Sequence, residues 1–317
     1  MDKNNFFLPN GDIHSRRLGR FISLIEDHPE QAEVQLAELY HENTQATVLG
    51  ITGPPGAGKS SLTDGLISRY RALGKRVAVI AVDSSSPFSG GAILGDRIRM
   101  AVHATDPGVF IRSMGSRGSL GGLAPATIDV MNLLTSIDFD VVIIETVGVG
   151  QTEIDIMHLV DTVLLILVPG LGDDIQALKA GVMEIADIFV VNKADKPGTQ
   201  KLLAEINMTL ALVHERLVWL PPVVETVATE YQGLEQLLEE ISKHSEYIAA
   251  HQDDVKQKKR VNRFTRMIED KFTSHVLSIM QENEQLTSWI QEVGRGQANP
   301  YAALKMFDKK LKIVWED

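Results

Sequence analysis

The chain has 317 residues, 44% of them hydrophobic, carries a formal net charge of −11 and contains no cysteine. Such a length and apolar content support a buried core and exclude a disordered polyelectrolyte, and the acidic balance argues against broad binding to nucleic acid or anionic lipid. Without cysteine there are no disulfides and no thiolate metal site; with an opening Met1-Asp2-Lys3-Asn4-Asn5 that has neither an apolar stretch nor an Arg-rich transit pattern, a cytoplasmic protein is expected.

Residues 1–45 carry apolar side chains at helical spacing: Leu18, Phe21, Ile22 and Ile25, then Val34, Ala37 and Tyr40 or Leu36 and Leu39. Pro29 suits the first turn of a helix, so this stretch reads as a helical N-terminal extension. From residue 46 short β-rich runs alternate with helical patterns: Ala46 to Ile51, Val77 to Val82, Val109 to Ser113, Val141 to Glu145, Val163 to Val168, Ile188 to Asn192 and Val223 to Val227. Near-continuous apolar runs are what strands buried on both faces of a parallel sheet look like. The expected fold class is therefore α/β, a doubly wound, mainly parallel sheet with helical extensions at both ends. The longest apolar run, Val163 to Val168, falls far short of the ~20 residues a bilayer requires, so no membrane span is expected.

Beyond Val227 the pattern is wholly helical, with Leu234, Leu237, Leu238 and Ile241 on one face. A polar stretch from His251 to Arg260 precedes a second amphipathic pattern carrying Val261, Phe264, Ile268, Phe272, Val276 and Met280. After a Gly/Asn/Pro break near Gly294 to Pro300 a last helix is expected, with Leu304, Phe307, Leu311 and Val314. These stripes require burial against the main domain, a second copy or a partner protein. The expected division is 1–45, 46–250 and 251–317. The basic cluster Lys256 to Arg260, diluted by Asp253 and Asp254, reads as a solvated helix face rather than a nucleic-acid site.

The chemistry gathers at the ends of the strand-like runs, where ligands of open α/β sheets bind. Gly53-Pro54-Pro55-Gly56-Ala57-Gly58-Lys59-Ser60 follows the first run and Ser61 begins a helical pattern. A Gly-rich turn feeding a helix aims backbone N–H groups and the positive helix end at one point, which suits a polyphosphate. Lys59 can reach the β and γ phosphates, and the Ser60 hydroxyl can ligate Mg²⁺. All residues from Gly53 to Ser61 are candidate nucleotide-binding residues.

Asn192-Lys193-Ala194-Asp195 closes the sixth run. A carboxylate there can accept from the N1–H and exocyclic amine of guanine, donors that adenine does not present in that arrangement, which points to GTP and GDP. Thr226-Val227-Ala228, at the end of the last run, is placed to offer a backbone N–H to the guanine oxygen. Glu145-Thr146-Val147-Gly148 ends the fourth run; Glu145 either holds Mg²⁺ or orients a water, and the Gly148 N–H can contact a γ phosphate. Lys59 and Glu145 are the candidate catalytic pair.

Asp83 and Asp96 lie near enough in sequence to the second run to neighbour a triphosphate, a density of negative charge tolerable mainly beside a cation, so both are candidate Mg²⁺ partners. The alternative is that Asp83 turns the chain and Asp96 caps or pairs with Arg97 or Arg99. Arg112 and Arg117, near Gly115, Gly118, Gly121 and Gly122, read as surface residues. The loop Pro169 to Lys179, with two glycines, Asp173, Asp174 and Gln176, is suited to movement. The nine histidines show no zinc spacing and read as surface or packing residues.

Taken together, the phosphate loop with Asp83, Glu145-Thr146-x-Gly148-x-Gly150-Gln151, Gly172-Asp173-Asp174-Ile175-Gln176 and Asn192-Lys193-Ala194-Asp195 closely resemble the methylmalonyl-CoA mutase-associated GTPases, the MeaB family, also known as ArgK or LAO/AO transport kinases. The resemblance runs over almost the whole chain. It implies a homodimeric GTPase that acts as a chaperone of an adenosylcobalamin-dependent acyl-CoA mutase, gating cofactor loading and protecting the mutase. It implies also that Ser60, Asp83, Asp96 and Glu145 surround Mg²⁺ and that Asn192, Lys193 and Asp195 read guanine. Asp173, Asp174, Gln176 and Lys179 would belong to a switch that carries the nucleotide state to the mutase, and the C-terminal arm would make the dimer. The older family name leaves a nucleotide-dependent protein kinase linked to amino-acid transport as the alternative.

Overall fold

In the computed structural model the described residues are 2–41, 45–83, 101–115, 126–146, 156, 159–170, 186–213, 217–251 and 257–305. Seven parallel strands form one sheet: β1 (Thr47–Thr52), β2 (Val77–Asp83), β3 (Val109–Gly115), β4 (Val141–Thr146), β5 (Thr162–Leu167), β6 (Ile188–Asn192) and β7 (Val223–Thr226), in the spatial order β3-β2-β4-β1-β5-β6-β7. Every residue of β4, β5 and β6 is buried, the outcome expected of Val- and Ile-rich runs with no polar alternation. Among the described residues the expected strands recur with ends displaced by only one or two positions.

β1 lies between β4 and β5, pairing Gly50 with Ile144 on one side and Val163 on the other. The chain leaves β1 toward β2 in one direction and reaches β5 in the other, so the order reverses at β1. That reversal opens a crevice at the carboxyl end of β1. The phosphate loop occupies that end.

Helices cover both faces. On one face α1 (Ser15–Asp27), α2 (Pro29–Leu39) and α4 (Ala126–Ser136) share a core in which Phe6, Leu18, Ile22 and Ile25 meet Ile80, Val142 and Ile144. On the other, α3 (Lys59–Ala72) and α6 (Leu234–Ala250) bury Leu62, Leu66, Leu234, Leu237 and Ile241 against Leu49, Ile51, Leu164 and Ile166. A third cluster sets Leu202, Ile206 and Leu210 of α5 (Thr199–Val213) on Leu165 and Phe189. Each such buried side chain contributes about 1.5–3 kcal/mol relative to exposure.

The N-terminal helices are thus packed onto the sheet itself. Arg112 on β3, read from sequence as a surface residue, instead donates to Ser23 Oγ at 3.0 Å and pairs with Glu26 of α1, whose side chain is only 7% exposed. Helix α7 (Gln257–Glu282) and helix α8 (Glu284–Gly294) follow α6. The chain divides into two compact units, Met1–Arg263 and Phe264–Asp317. Within the first, Lys259 is not a solvated side chain: its ammonium donates to the carbonyls of Val160 at 3.0 Å and Asp161 at 2.5 Å. Among the described residues no helix is long and apolar enough to cross a membrane.

Candidate functional site

The phosphate loop joins Thr52 at the end of β1 to Lys59 at the start of α3. Gly58, the N-cap of α3, has φ +90°, and a Cβ on it would lie 2.3 Å from the Asn192 side-chain nitrogen. Gly53, at φ +143°, passes so near the sheet that a Cβ would meet the Ile166 carbonyl oxygen at 2.2 Å. Glycine is required at both positions by conformation and by space. Lys59 is buried, and its ammonium donates to the carbonyls of Gly53 at 2.7 Å and Pro54 at 3.0 Å, which holds the cation within the curve of the loop.

Asn192, at the end of β6, is buried and ties three strand ends together. Its side-chain N–H₂ donates to the Ala57 carbonyl at 2.8 Å, and its Oδ1 accepts from the Thr226 hydroxyl and the Ala228 amide, each at 3.1 Å. Lys193 has φ +57° and donates from its ammonium to the Gly56 carbonyl at 2.7 Å. The next turn is fixed by the Ala194 amide donating to the Thr226 carbonyl at 3.0 Å. Asp195 follows at the exposed edge of this assembly. The phosphate loop, the Asn-Lys-Ala-Asp turn and the Thr226 to Ala228 segment, far apart in sequence, therefore form one bonded structure. Of the segment expected to offer a backbone N–H to the guanine oxygen, the Val227 amide donates to the Gln232 carbonyl at 3.2 Å and the Ala228 amide to Asn192 at 3.1 Å.

On the opposite side of the loop Glu145, 3% exposed, is the penultimate residue of β4. Its Oε1 accepts from the Ser60 hydroxyl and its Oε2 from the Thr63 hydroxyl, both at 2.7 Å. A buried carboxylate satisfied by charge-assisted bonds is stable in a position where an unsatisfied one would be costly. A serine hydroxyl and a carboxylate are hard oxygen donors that fit Mg²⁺, an ion commonly held by one or two carboxylates together with phosphate oxygens and water. No group of three or more His, Cys, Asp or Glu able to hold a metal occurs among the described residues.

Asp83 ends β2 in register with Gly115, and only its backbone is described. Asp96, Gly148, Asp173, Asp174, Gln176 and Lys179 lie outside the described residues. Thr63 was not singled out in the sequence. The available signal was a hydroxyl one helical turn beyond Ser60, amid the buried Leu62, Leu66 and Ile67 of α3. Two histidines prove to be packing residues with carboxylate neighbours: His103 Nε2 lies 3.0 Å from Asp64, and His244 Nε2 lies 3.3 Å from Asp187.

The family model described as methylmalonyl Co-A mutase-associated GTPase MeaB matches residues 18–282. A relative in Pyrococcus abyssi is 46% identical over 300 residues, covering 93% of each chain. The mouse protein named methylmalonic aciduria type A homolog, mitochondrial, is 30% identical over 270 residues, 83% of this chain and 65% of its own. Among solved structures, one titled as an LAO/AO transport system kinase superposes with a TM-score of 0.67 at 25% identity over 94% of both chains. On a fold whose phosphate loop and Asn-Lys-Ala-Asp turn are bonded at one sheet edge, and with a family match spanning both, this chain belongs to the methylmalonyl-CoA mutase-associated GTPases, the MeaB family, and is a GTP hydrolase.

Proposed function

We propose that this GTPase is a Mg²⁺-dependent chaperone of an adenosylcobalamin-dependent acyl-CoA mutase, methylmalonyl-CoA mutase, gating cofactor loading and protecting the mutase. The observation that carries the reading is the family match itself, which spans residues 18–282 and whose description states the mutase association. In this reading the loop from Gly53 to Ser61 cradles the phosphates through the backbone N–H groups of its non-proline residues, and Lys59 supplies positive charge where negative charge develops on the γ phosphate. Ser60 and Glu145, with Asp83 and Asp96, hold Mg²⁺. Bound there, the ion neutralises phosphate oxygens. Asp195 accepts from the guanine base, Asn192 and Lys193 hold the turn that carries it, and Thr226 to Ala228 complete the base pocket. Gly148 senses the γ phosphate, and Asp173, Asp174, Gln176 and Lys179 relay the outcome to the mutase.

The protein works in the cytoplasm as a homodimer, without nucleic acid or membrane. Support for self-association comes from Phe264, Ile268 and Phe272, which recur every four residues on α7 and are 64%, 53% and 49% exposed.

The test is phosphate release from GTP with Mg²⁺, with and without purified methylmalonyl-CoA mutase, using ATP as the control. Slow GTP-specific release, accelerated by the mutase, is expected. Release indifferent to any cobalamin-dependent mutase would remove the partner assignment, and transfer of the γ phosphate to a protein acceptor would favour the kinase alternative.

A further inference from the structure

Thr63 stands on α3 one turn beyond Ser60 and is fully buried. Its hydroxyl has one proton and two acceptors within reach: Glu145 Oε2 at 2.7 Å and the carbonyl of Lys59, four residues earlier, at 3.0 Å. Threonine inside a helix commonly returns its proton to that i−4 carbonyl. Here a nearer, negatively charged acceptor competes for it, and a charge-assisted bond is the stronger of the two.

We propose that Thr63 is a positioning residue for GTP hydrolysis, holding the Glu145 carboxylate in the orientation in which it accepts the hydrogen bond from Ser60. The terminal torsion of a glutamate is broad, so the carboxylate's rotation is set by the groups that bond it. Two hydroxyls from one rigid helix, each on a different oxygen, fix that rotation. By donating its proton to Oε1, the Ser60 hydroxyl presents oxygen rather than hydrogen to a cation. Thr63 does not itself meet the cation, and acts through Glu145 and Ser60. The inference rests on the reading of Ser60 and Glu145 as the pair on the metal side of the site.

The experiment compares wild type with T63V, T63A, T63S and E145Q. Two measurements are made: GTP hydrolysis against Mg²⁺ concentration, and binding of a fluorescent methylanthraniloyl-GDP with Mg²⁺ or with EDTA. T63V and T63A are expected to lose about tenfold in kcat, and about tenfold of the affinity that Mg²⁺ adds to nucleotide binding, the scale of one hydrogen bond to a charged group. The affinity in EDTA should stay within about twofold, KM for GTP should rise with the lost Mg²⁺-dependent affinity, and T63S should recover these losses. In an E145Q background T63V should add nothing, since the two act as one unit. Losses of equal size in T63V, T63A and T63S, an equal loss in EDTA, or an additive effect on E145Q would overturn the proposal. A silent E145Q would instead overturn the underlying reading of the metal-side pair, whereas a damaging E145Q beside a silent T63V and T63A overturns the Thr63 role alone.

Discussion

At the scale of single residues, the site is assembled by side chains that hold the backbone in place as much as by those that face a ligand. Asn192 serves three partners, one in the phosphate loop and two at the end of β7, and Gly58 is glycine partly because the Asn192 amide occupies the space of a Cβ. Asp195 is different: it lies at the exposed edge, so its replacement should leave this lock intact. Asp195→Ala is expected to reduce the preference for GTP over ATP by about a hundredfold, as a polar site loses the group that distinguishes its substrate. Competition of unlabelled GTP and ATP against a fluorescent guanine nucleotide measures it. An unchanged preference would contradict the guanine assignment. Asn, Lys and Asp were legible in sequence because their spacing is local; the Thr63 contact was not, because it depends on how β4 lies against α3.

At the scale of elements, polar clasps set how the helices meet the strand ends. Arg71, near the end of α3, donates from Nε to both oxygens of Asp106, at 2.9 and 3.1 Å, in the turn before β3. The Gly108 amide donates to the same carboxylate at 2.8 Å. The Arg71 bond, aided by that amide and opposed by partial burial, holds the Asp106 carboxyl below its ordinary 3.8. A carboxylate with a depressed folded pKa stabilises the protein above its unfolded value, and that contribution disappears as pH falls through the folded value. Asp106→Asn is therefore expected to cost about 1 kcal/mol at pH 7, a figure reduced for partial exposure, and its deficit should vanish well below pH ~4. Urea unfolding of both proteins across that range checks the sign. A deficit that persists at low pH would assign the effect to packing.

At the scale of the whole chain, the N-terminal residues are an integral layer of the sheet's core, as the packing of Phe6, Leu18 and Ile22 with Val142 and Ile144 shows. A helical stripe in the sequence identifies a buried face without naming what buries it. The same ambiguity applies to α7, where Phe264, Ile268 and Phe272 remain substantially exposed within their own chain. For a homodimer sealed by that face, Phe272→Glu is expected to shift the protein to monomer in sedimentation velocity, because a buried charge without a partner is costly. Its GTP hydrolysis in the absence of mutase should stay within about twofold of wild type, since the substitution lies outside the nucleotide site. A dimer in both proteins would move the self-association surface elsewhere, and a monomer in both would overturn the homodimer.

The sequence by itself determined the seven strands, the phosphate loop and the Asn-Lys-Ala-Asp turn, since period, glycine placement and residue spacing are local properties that the chain carries wherever it folds. Only the tertiary structure decided the strand order, the burial of the N-terminal helices against the sheet, the anchoring of Arg112 and Lys259, and the grip of two hydroxyls on Glu145. Those depend on which surfaces meet, and Ser60 and Glu145, brought to 2.7 Å, stand 85 positions apart in the chain.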